Sequence, residues 1–161
     1  MTPDWFPDWS GETCIIVASG PSAAAVPLEQ AKGKAKIIAI NDSWRLCPWA
    51  DVLYGCDVKW WQQNKGLPGF AGMRLAGEKR AAEDYNGIHH IRVMHFDDRL
   101  HLDEKGTVGC GGNSGFQALN LALQFGCTRI ILVGYDMRLD KGLHWHGAHP
   151  KELDGGDYYV T

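Results

Sequence analysis

Short apolar runs separated by glycine-rich and polar turns dominate the hydrophobic pattern of this 161-residue chain. The first half contains three such runs, at 13–18 (T-C-I-I-V-A), 36–40 (K-I-I-A-I) and 50–56 (A-D-V-L-Y-G-C). The first two are apolar at consecutive positions and rich in β-branched residues, which is typical of strands in a parallel sheet covered on both faces. The pattern therefore predicts a sheet that helices bury from both sides.

The second half contains a long stretch, 106–128, without a charged residue. A helix is predicted over 114–125, because its polar residues form one narrow stripe, Gln117, Asn120 and Gln124, at helical spacing. Most of the helix circumference is then expected to be buried. Gly126 is placed to end the helix, and 128–133 (T-R-I-I-L-V) follows as a strand.

The remaining segments complete the predicted order of elements. Pro21 suits the first position of a helix that runs towards Lys32. A helix followed by irregular chain is expected within 58–87, another strand within 88–96, a charged turn at 97–105 and polar, irregular chain at 137–161. This order predicts a single α/β domain over 1–161 with its core at 13–136: a three-layer, Rossmann-like, open and mostly parallel sheet with helices on both faces.

Charge and cysteine content narrow the classes of function. Sixteen Lys and Arg face nineteen Asp and Glu, a net charge of -3, which disfavours a nucleic-acid partner. The five cysteines are odd in number and lack C-x-x-C spacing, so they are expected to be small core residues in a reducing compartment. With neither a signal-peptide pattern nor an apolar run of membrane-spanning length, we predict a cytoplasmic protein without a membrane span; the oligomeric state stays open.

The first candidate binding segment is Ser19-Gly20-Pro21-Ser22, between a predicted strand and a predicted helix. Backbone N–H groups at a helix start favour an anion such as phosphate. The segment matches neither G-x-G-x-x-G nor the lysine-containing P-loop, which argues against nicotinamide-type dinucleotide binding and P-loop hydrolysis. A tight turn capped by serine, with no ligand, is the alternative interpretation.

A second glycine-rich loop, 109–115, precedes the predicted helix, and there Asn113, Ser114 and Gly115 can cap the helix or contact a phosphate or sugar. The amides of 20–22 and 113–115 are expected to converge in one electropositive cradle. Polar residues also follow other strand ends, where ligands of parallel sheets bind. These are Asn41, Asp42, Tyr135 and Asp136, with Trp44 and Arg45 close enough in sequence to flank the ligand. Either aspartate can instead cap a turn, and Tyr135 can be a core residue.

Three histidines, His144, His146 and His149, lie within six residues. Imidazole is a general base near neutral pH and a common metal ligand. The spacing does not match H-E-x-x-H on a helix, so we assign no metal ligand and expect a catalytic base or a phosphate contact. A metal site and a solvated loop without function are the alternatives.

Four short motifs in this order resemble the superfamily of bacterial sialyltransferases and archaeal-type 6-hydroxymethylpterin diphosphokinases. They are Ala18-Ser19-Gly20-Pro21-Ser22, Ile40-Asn41-Asp42, Asn113-Ser114-Gly115 and Val133-Gly134-Tyr135-Asp136. The resemblance implies a nucleotide-binding domain, with 20–22 and 114–115 around the phosphates and with Asn41 and Asp136 around sugar or base. It also implies a histidine general base on the acceptor hydroxyl. The family's first motif usually has Asn where this chain has Ser19, and its enzymes are longer. Short stand-alone relatives resemble phage and prophage proteins.

These observations predict a group transferase of the glycosyltransferase or diphosphoryltransferase type that binds a nucleotide or nucleotide sugar as substrate. No other cofactor follows, apart from a possible magnesium ion. A non-catalytic module that binds a nucleotide or docks on a partner is one alternative. A metal-dependent hydrolase built on His144, His146 and His149 is the other.

Overall fold

In the computed structural model, which describes residues 1–138 and 140–148, the chain forms a six-stranded sheet in which every neighbouring pair is parallel. The strands are β1 (Thr13–Val17), β2 (Lys36–Ile40), β3 (Val52–Gly55), β4 (Met73–Ala76), β5 (Ile88–His90) and β8 (Arg129–Val133). A separate parallel pair is formed by β6 (Arg92–Met94) and β7 (Thr107–Gly109). The order in the large sheet is β5-β4-β3-β2-β1-β8, and the predicted α/β class with an open parallel sheet is confirmed.

The sheet lies between two apolar layers, because alternate residues of each strand point to opposite faces. In β1, Cys14 and Ile16 pack with helix α3 (Ser114–Gln124), whereas Ile15 and Val17 belong to the other cluster. That other layer includes the helices α1 (Val58–Gln63) and α2 (Lys79–Asp84). The burial of both faces explains why β1 and β2 are apolar at consecutive positions.

The segment after Ser22 is not the predicted helix. It forms two 3-10 turns, Pro21–Ala25 and Leu28–Ala31, separated by Val26 and Pro27. Pro27 has no N–H to donate within a helix, and a proline moves the residue before it to extended backbone. Val26 accordingly has φ -84° and ψ 130°.

A strand predicted within 88–96 is present, but the structure divides it into two short strands that belong to different sheets. Strand β5 extends the large sheet, and β6 leaves it after Ile91 to pair with β7. The stretch 58–87, expected to hold a helix followed by irregular chain, begins with α1 and also contains β4 and α2.

Helix α3 begins and ends as its sequence predicts. The Asn113 side chain accepts a hydrogen bond from the Phe116 amide (2.8 Å), the usual geometry of a helix N-cap, and Gly126 follows the helix with φ +93°. Its polar stripe, however, does not face solvent. Gln117, Asn120 and Gln124 are all buried and bond to other parts of the chain.

Three of the five cysteines, Cys14, Cys47 and Cys127, are buried, in agreement with a role in the core. Burial raises the pKa of the Cys47 thiol to about 12. Because the thiolate is the nucleophile, we expect Cys47 of the folded protein to stay unmodified by iodoacetamide at about pH 8, where an ordinary thiol is partly ionised. Peptide mass spectrometry with and without urea checks this; equal labelling in both conditions would contradict it.

Candidate functional site at the carboxyl edge of the sheet

The predicted motifs meet at one edge of the sheet because they follow the carboxyl ends of neighbouring strands. Strand β1 lies between β2 and β8, in register with both at Val17, Ala39 and Val133. The chain leaves β1 for β2 on one side, and β8 joins on the other, so the connections diverge at this point. Parallel sheets bind ligands in the crevice beyond such a switch point.

The first loop, Ser19 to Ser22, already has an anionic partner within the chain. The Ser22 amide and hydroxyl donate to Oδ2 of Asp136 at 3.2 and 2.9 Å. The Gly20 amide donates to the Gly134 carbonyl at 2.8 Å, and Pro21 has no N–H. A phosphate at these amides would therefore have to replace the Asp136 carboxylate. The ligand-binding role of this loop stays a prediction.

The second loop reaches the same edge from the opposite face of the sheet. Asn113 caps α3, which packs on the face of Cys14 and Ile16, whereas Ala23 packs on the other face. The phenol of Tyr135 donates to the Gly115 carbonyl at 2.9 Å, and burial raises the pKa of that phenol. The consecutive residues Tyr135 and Asp136 thus contact the two loops separately. The single open cradle of amides is therefore corrected for its first half: within 20–22, the Gly20 and Ser22 amides both donate to acceptors of the chain itself, and Pro21 has no N–H.

The turn after β2 fastens three segments together. Asn41 adopts left-handed backbone (φ +48°), which Asn tolerates better than most residues. The buried Ser43 donates to the Ala18 carbonyl (3.0 Å) and accepts from the indole Nε1 of Trp145 (3.2 Å). Ser43 is not among the site residues predicted from the sequence, although its place directly after Asn41 and Asp42 at a strand end marks it as a candidate.

Two of the three predicted histidines lie at this edge. His146 Nε2 is 3.6 Å from Asp42 Oδ2, and the His146 side chain is only 6% exposed. His144 stacks on His146, with ring centroids 5.2 Å apart. The backbone N–H of Trp145 donates to the Ser19 carbonyl at 2.8 Å, which holds this loop against the first one. His149 lies outside the described residues.

A cavity of about 330 Å³ opens between the turn after β2, helix α1 and the histidine loop. Its lining combines a carboxylate, a guanidinium, an imidazole, two amides and an indole with one small apolar residue: Asp42, Arg45, His146, Gln63, Asn64, Trp60 and Ala148. Arg45 also lies over the Trp145 ring, 5.1 Å from its centroid. The sequence did not identify Trp60, Gln63 and Asn64 as site residues. The feature that points to them is the start of α1 directly after the carboxyl end of β3.

A second cavity, of about 390 Å³, lies at the amino ends of the strands and includes Lys32, Lys34 and Lys36 in its lining. None of the predicted site residues lines it. We therefore place the candidate site at the carboxyl edge, where the predicted residues converge.

Within residues 1–138 and 140–148, no group of three or more His, Cys, Asp or Glu side chains is arranged to hold a metal ion. No helix in the described part of the chain has the length and apolarity to cross a bilayer.

Comparison with known proteins adds a fold relationship. No protein-family profile matches the sequence, and no curated protein matches it significantly. A solved structure, the MAf glycosyltransferase from Magnetospirillum magneticum AMB-1, matches over 96% of this chain with a TM-score of 0.60 and 14% sequence identity. The match spans 25% of that protein's length. At this identity the likeness establishes a shared α/β fold.

Proposed function

We propose that the cavity at the carboxyl edge binds a nucleotide or nucleotide sugar, and that the chain provides this site for glycosyl transfer. The observation that carries the proposal is that Asp42 and His146 lie side by side in the lining of a cavity next to the switch point. Their segments are far apart in sequence and are joined there by the hydrogen bonds of Ser43 and Trp145. The shared fold with a glycosyltransferase supports the same class of reaction.

The chemistry of the lining matches such a ligand. The Arg45 guanidinium provides positive charge for a phosphate, whereas Asp42 and the amides of Gln63 and Asn64 offer partners for sugar or base polar groups. In transfer, an acceptor hydroxyl oxygen bonds to the anomeric carbon while the bond from that carbon to the phosphate oxygen breaks. His146, next to Asp42, takes the hydroxyl proton, and the electron pair leaves on the nucleotide phosphate.

The resemblance to sialyltransferases and pterin diphosphokinases supplies the finer alternatives, transfer of a glycosyl or a diphosphoryl group. Because the chain corresponds to a quarter of the length of the MAf glycosyltransferase, a module that binds a nucleotide without turnover is the second candidate. Measuring the release of free nucleotide from a nucleotide sugar in the presence of acceptor separates the two candidates. A transferase releases the nucleotide, whereas a binding module binds the nucleotide sugar to saturation and releases none.

The nucleotide site is tested with a thermal-shift panel of cytidine, uridine, adenosine and guanosine mono- and diphosphates, with and without magnesium. At least one is expected to raise the melting temperature with concentration, since a ligand of the folded state stabilises it by mass action. Arg45→Ala is expected to raise the Kd of the nucleotide that stabilises the wild type by about tenfold or more, because the variant loses a charged hydrogen-bond donor.

Arg129→Ala is the matched control, because Arg129 is an exposed arginine at the amino end of β8 and lies outside the cavity lining. It is expected to leave affinity unchanged. The site is rejected when no nucleotide stabilises the wild type, or when both arginine variants bind as the wild type does.

A further inference from the structure

Trp145 connects the histidine loop, residues 144–148, to the turn after β2 through both parts of its side chain. The indole N–H donates to the Ser43 hydroxyl at 3.2 Å. The face of the indole lies under the Arg45 guanidinium, whose central carbon is 5.1 Å from the ring centroid. The backbone N–H of Trp145 donates to the Ser19 carbonyl at 2.8 Å. Trp145 is thus fixed to two segments that the sequence places far from it.

Ser43 is suited to anchor the indole, because it is buried and its hydroxyl is already oriented. It donates its one O–H to the Ala18 carbonyl at 3.0 Å, which leaves the oxygen lone pairs for the Trp145 N–H. A hydroxyl that donates in one direction and accepts from another is restricted in its rotation. The carboxyl ends of β1 and β2 therefore set the position of the indole.

Trp145 lies outside the cavity lining, yet it contacts two charged or titratable groups that belong to that lining. Arg45 is exposed, and a long exposed side chain samples many rotamers unless a neighbour restrains it. The indole face provides that restraint by cation–π attraction. His146 is the next residue in the chain, and its ring meets the indole edge to face, with centroids 5.3 Å apart. One indole therefore contacts both groups.

We propose that Trp145 is a positioning residue of the nucleotide site, with an indole that holds Arg45 and His146 in the cavity lining. Ser43 anchors that indole. The inference rests on the proposed function, and it assigns no ligand contact to Trp145 itself. A side chain that is oriented before binding loses less conformational freedom when the ligand arrives. Loss of Trp145 is therefore expected to weaken binding although no contact with the ligand is removed.

Trp49 offers a matched control for a purely structural role. Both tryptophans are partly buried and pack against the same apolar layer. Each also has a cation 5.1 Å from its ring centroid, which is Lys32 in the case of Trp49. Trp49 lines the other cavity, at the amino ends of the strands. Leucine at either position removes an indole from that layer, but only leucine at Trp145 releases residues of the proposed site.

The first measurement follows the ligand-free protein by NMR. The side-chain protons of Arg45 are expected to resonate upfield of those of a free arginine, because the ring current of an indole shields groups over its face. Trp145→Leu is expected to abolish this shift, and Ser43→Ala is expected to reduce it because the indole loses its anchor. Trp49→Leu is expected to leave it unchanged.

The second measurement is calorimetric titration with cytidine, uridine, adenosine and guanosine diphosphates. Trp145→Leu is expected to raise the Kd of the diphosphate that binds the wild type by about threefold or more, as loss of a cation–π contact would. Trp145→Phe is expected to restore most of the affinity, because it keeps an aromatic face for Arg45. Trp49→Leu is expected to bind as the wild type does.

A double-mutant cycle separates positioning from stability. Arg45→Ala is expected to raise the Kd by a smaller factor in Trp145→Leu than in the wild type, because a guanidinium that is no longer held contributes less. In Trp49→Leu, Arg45→Ala is expected to have its full effect. A merely structural role of Trp145 predicts the same factor in all three backgrounds.

An Arg45 signal that neither Trp145→Leu nor Ser43→Ala moves would overturn the positioning role and leave the nucleotide site intact, and so would equal factors in the cycle. Ser43→Ala and Trp145→Phe keep these comparisons available if Trp145→Leu fails to fold. Absence of diphosphate binding by the wild type would instead reject the site itself. The NMR result then decides separately whether the indole holds Arg45.

Discussion

Alanine at Gly20 is expected to destabilise the protein by about 2–4 kcal/mol, the cost of forcing atoms into a packed site with fixed neighbours. The new Cβ would overlap the Asp136 carboxylate and the Gly134 carbonyl. Neither can move easily, because Gly134 accepts the Gly20 amide and Asp136 accepts from Ser22. A loss of this size lowers the melting temperature of a chain of this length by about 6–12 °C, measured by circular dichroism.

Gly69→Ala is the matched control. A Cβ at Gly69 meets no atom within 4 Å, and its backbone is outside the left-handed region. That variant is expected to stay within about 0.5 kcal/mol of the wild type, as exposed substitutions do. Similar melting temperatures for both variants would show that the Gly20 loop and the Gly134 loop do not pack as described.

Leucine at Gln124 is expected to destabilise the protein by about 3–5 kcal/mol, because it leaves several buried polar groups without partners. The Gln124 Nε2 donates to the carbonyls of His101 and Thr107, both at 2.6 Å, and its Oε1 accepts from the Gly106 amide at 2.9 Å. The side chain is 3% exposed. Together with Asn120, which bonds the amide and the carbonyl of His101, this side chain holds the segment between β6 and β7 to helix α3.

Hydrogen exchange locates the effect. In Gln124→Leu the Gly106 amide is expected to lose protection more strongly than the amides of α1, which lies on the other face of the sheet. Gln62→Leu, at an exposed glutamine of α1, is the control and is expected to change neither exchange nor melting temperature appreciably. An unchanged exchange rate at Gly106 in Gln124→Leu would contradict the anchoring role.

The parts of the fold that the sequence predicts well are those in which local pattern and tertiary burial agree. Strands β1 and β2 are apolar at consecutive positions, as buried parallel strands are, and helix α3 has apolar residues at helical spacing. Helix α3 is also followed by Gly126, a residue suited to end a helix. Strand β4 was missed because Arg74 lies within it. Its guanidinium donates to the carbonyls of Gly66 (2.6 Å) and Asn86 (3.0 Å). These contacts satisfy the charged group within the fold, and the local sequence pattern does not reveal them.

The sequence predicted which polar residues would lie near the candidate site, but it did not predict how their side chains would pair with one another. The carboxyl ends of the strands identified Asp42 and Asp136 as polar groups near a ligand, but only the fold shows that Asp136 binds Ser22 and that Asp42 faces His146. Amides suited to phosphate are equally suited to a carboxylate, so the sequence alone does not separate the two. The polar stripe of α3 is a second case in which the sequence does not identify the partner. Its side chains bond buried backbone groups, although their polarity is equally compatible with contact to water.

The position of β1 between β2 and β8 has a consequence for synthesis on the ribosome. Strand β1 is made well before one of its two neighbours, β8, which follows only after more than a hundred further residues have been added. Until then one flank of β1 has no partner, and late pairing over such a separation is slow. The ligand crevice is completed later still, when Trp145 reaches Ser19 and Ser43, so a ribosome-bound fragment that stops at β8 is expected to have the sheet without the site.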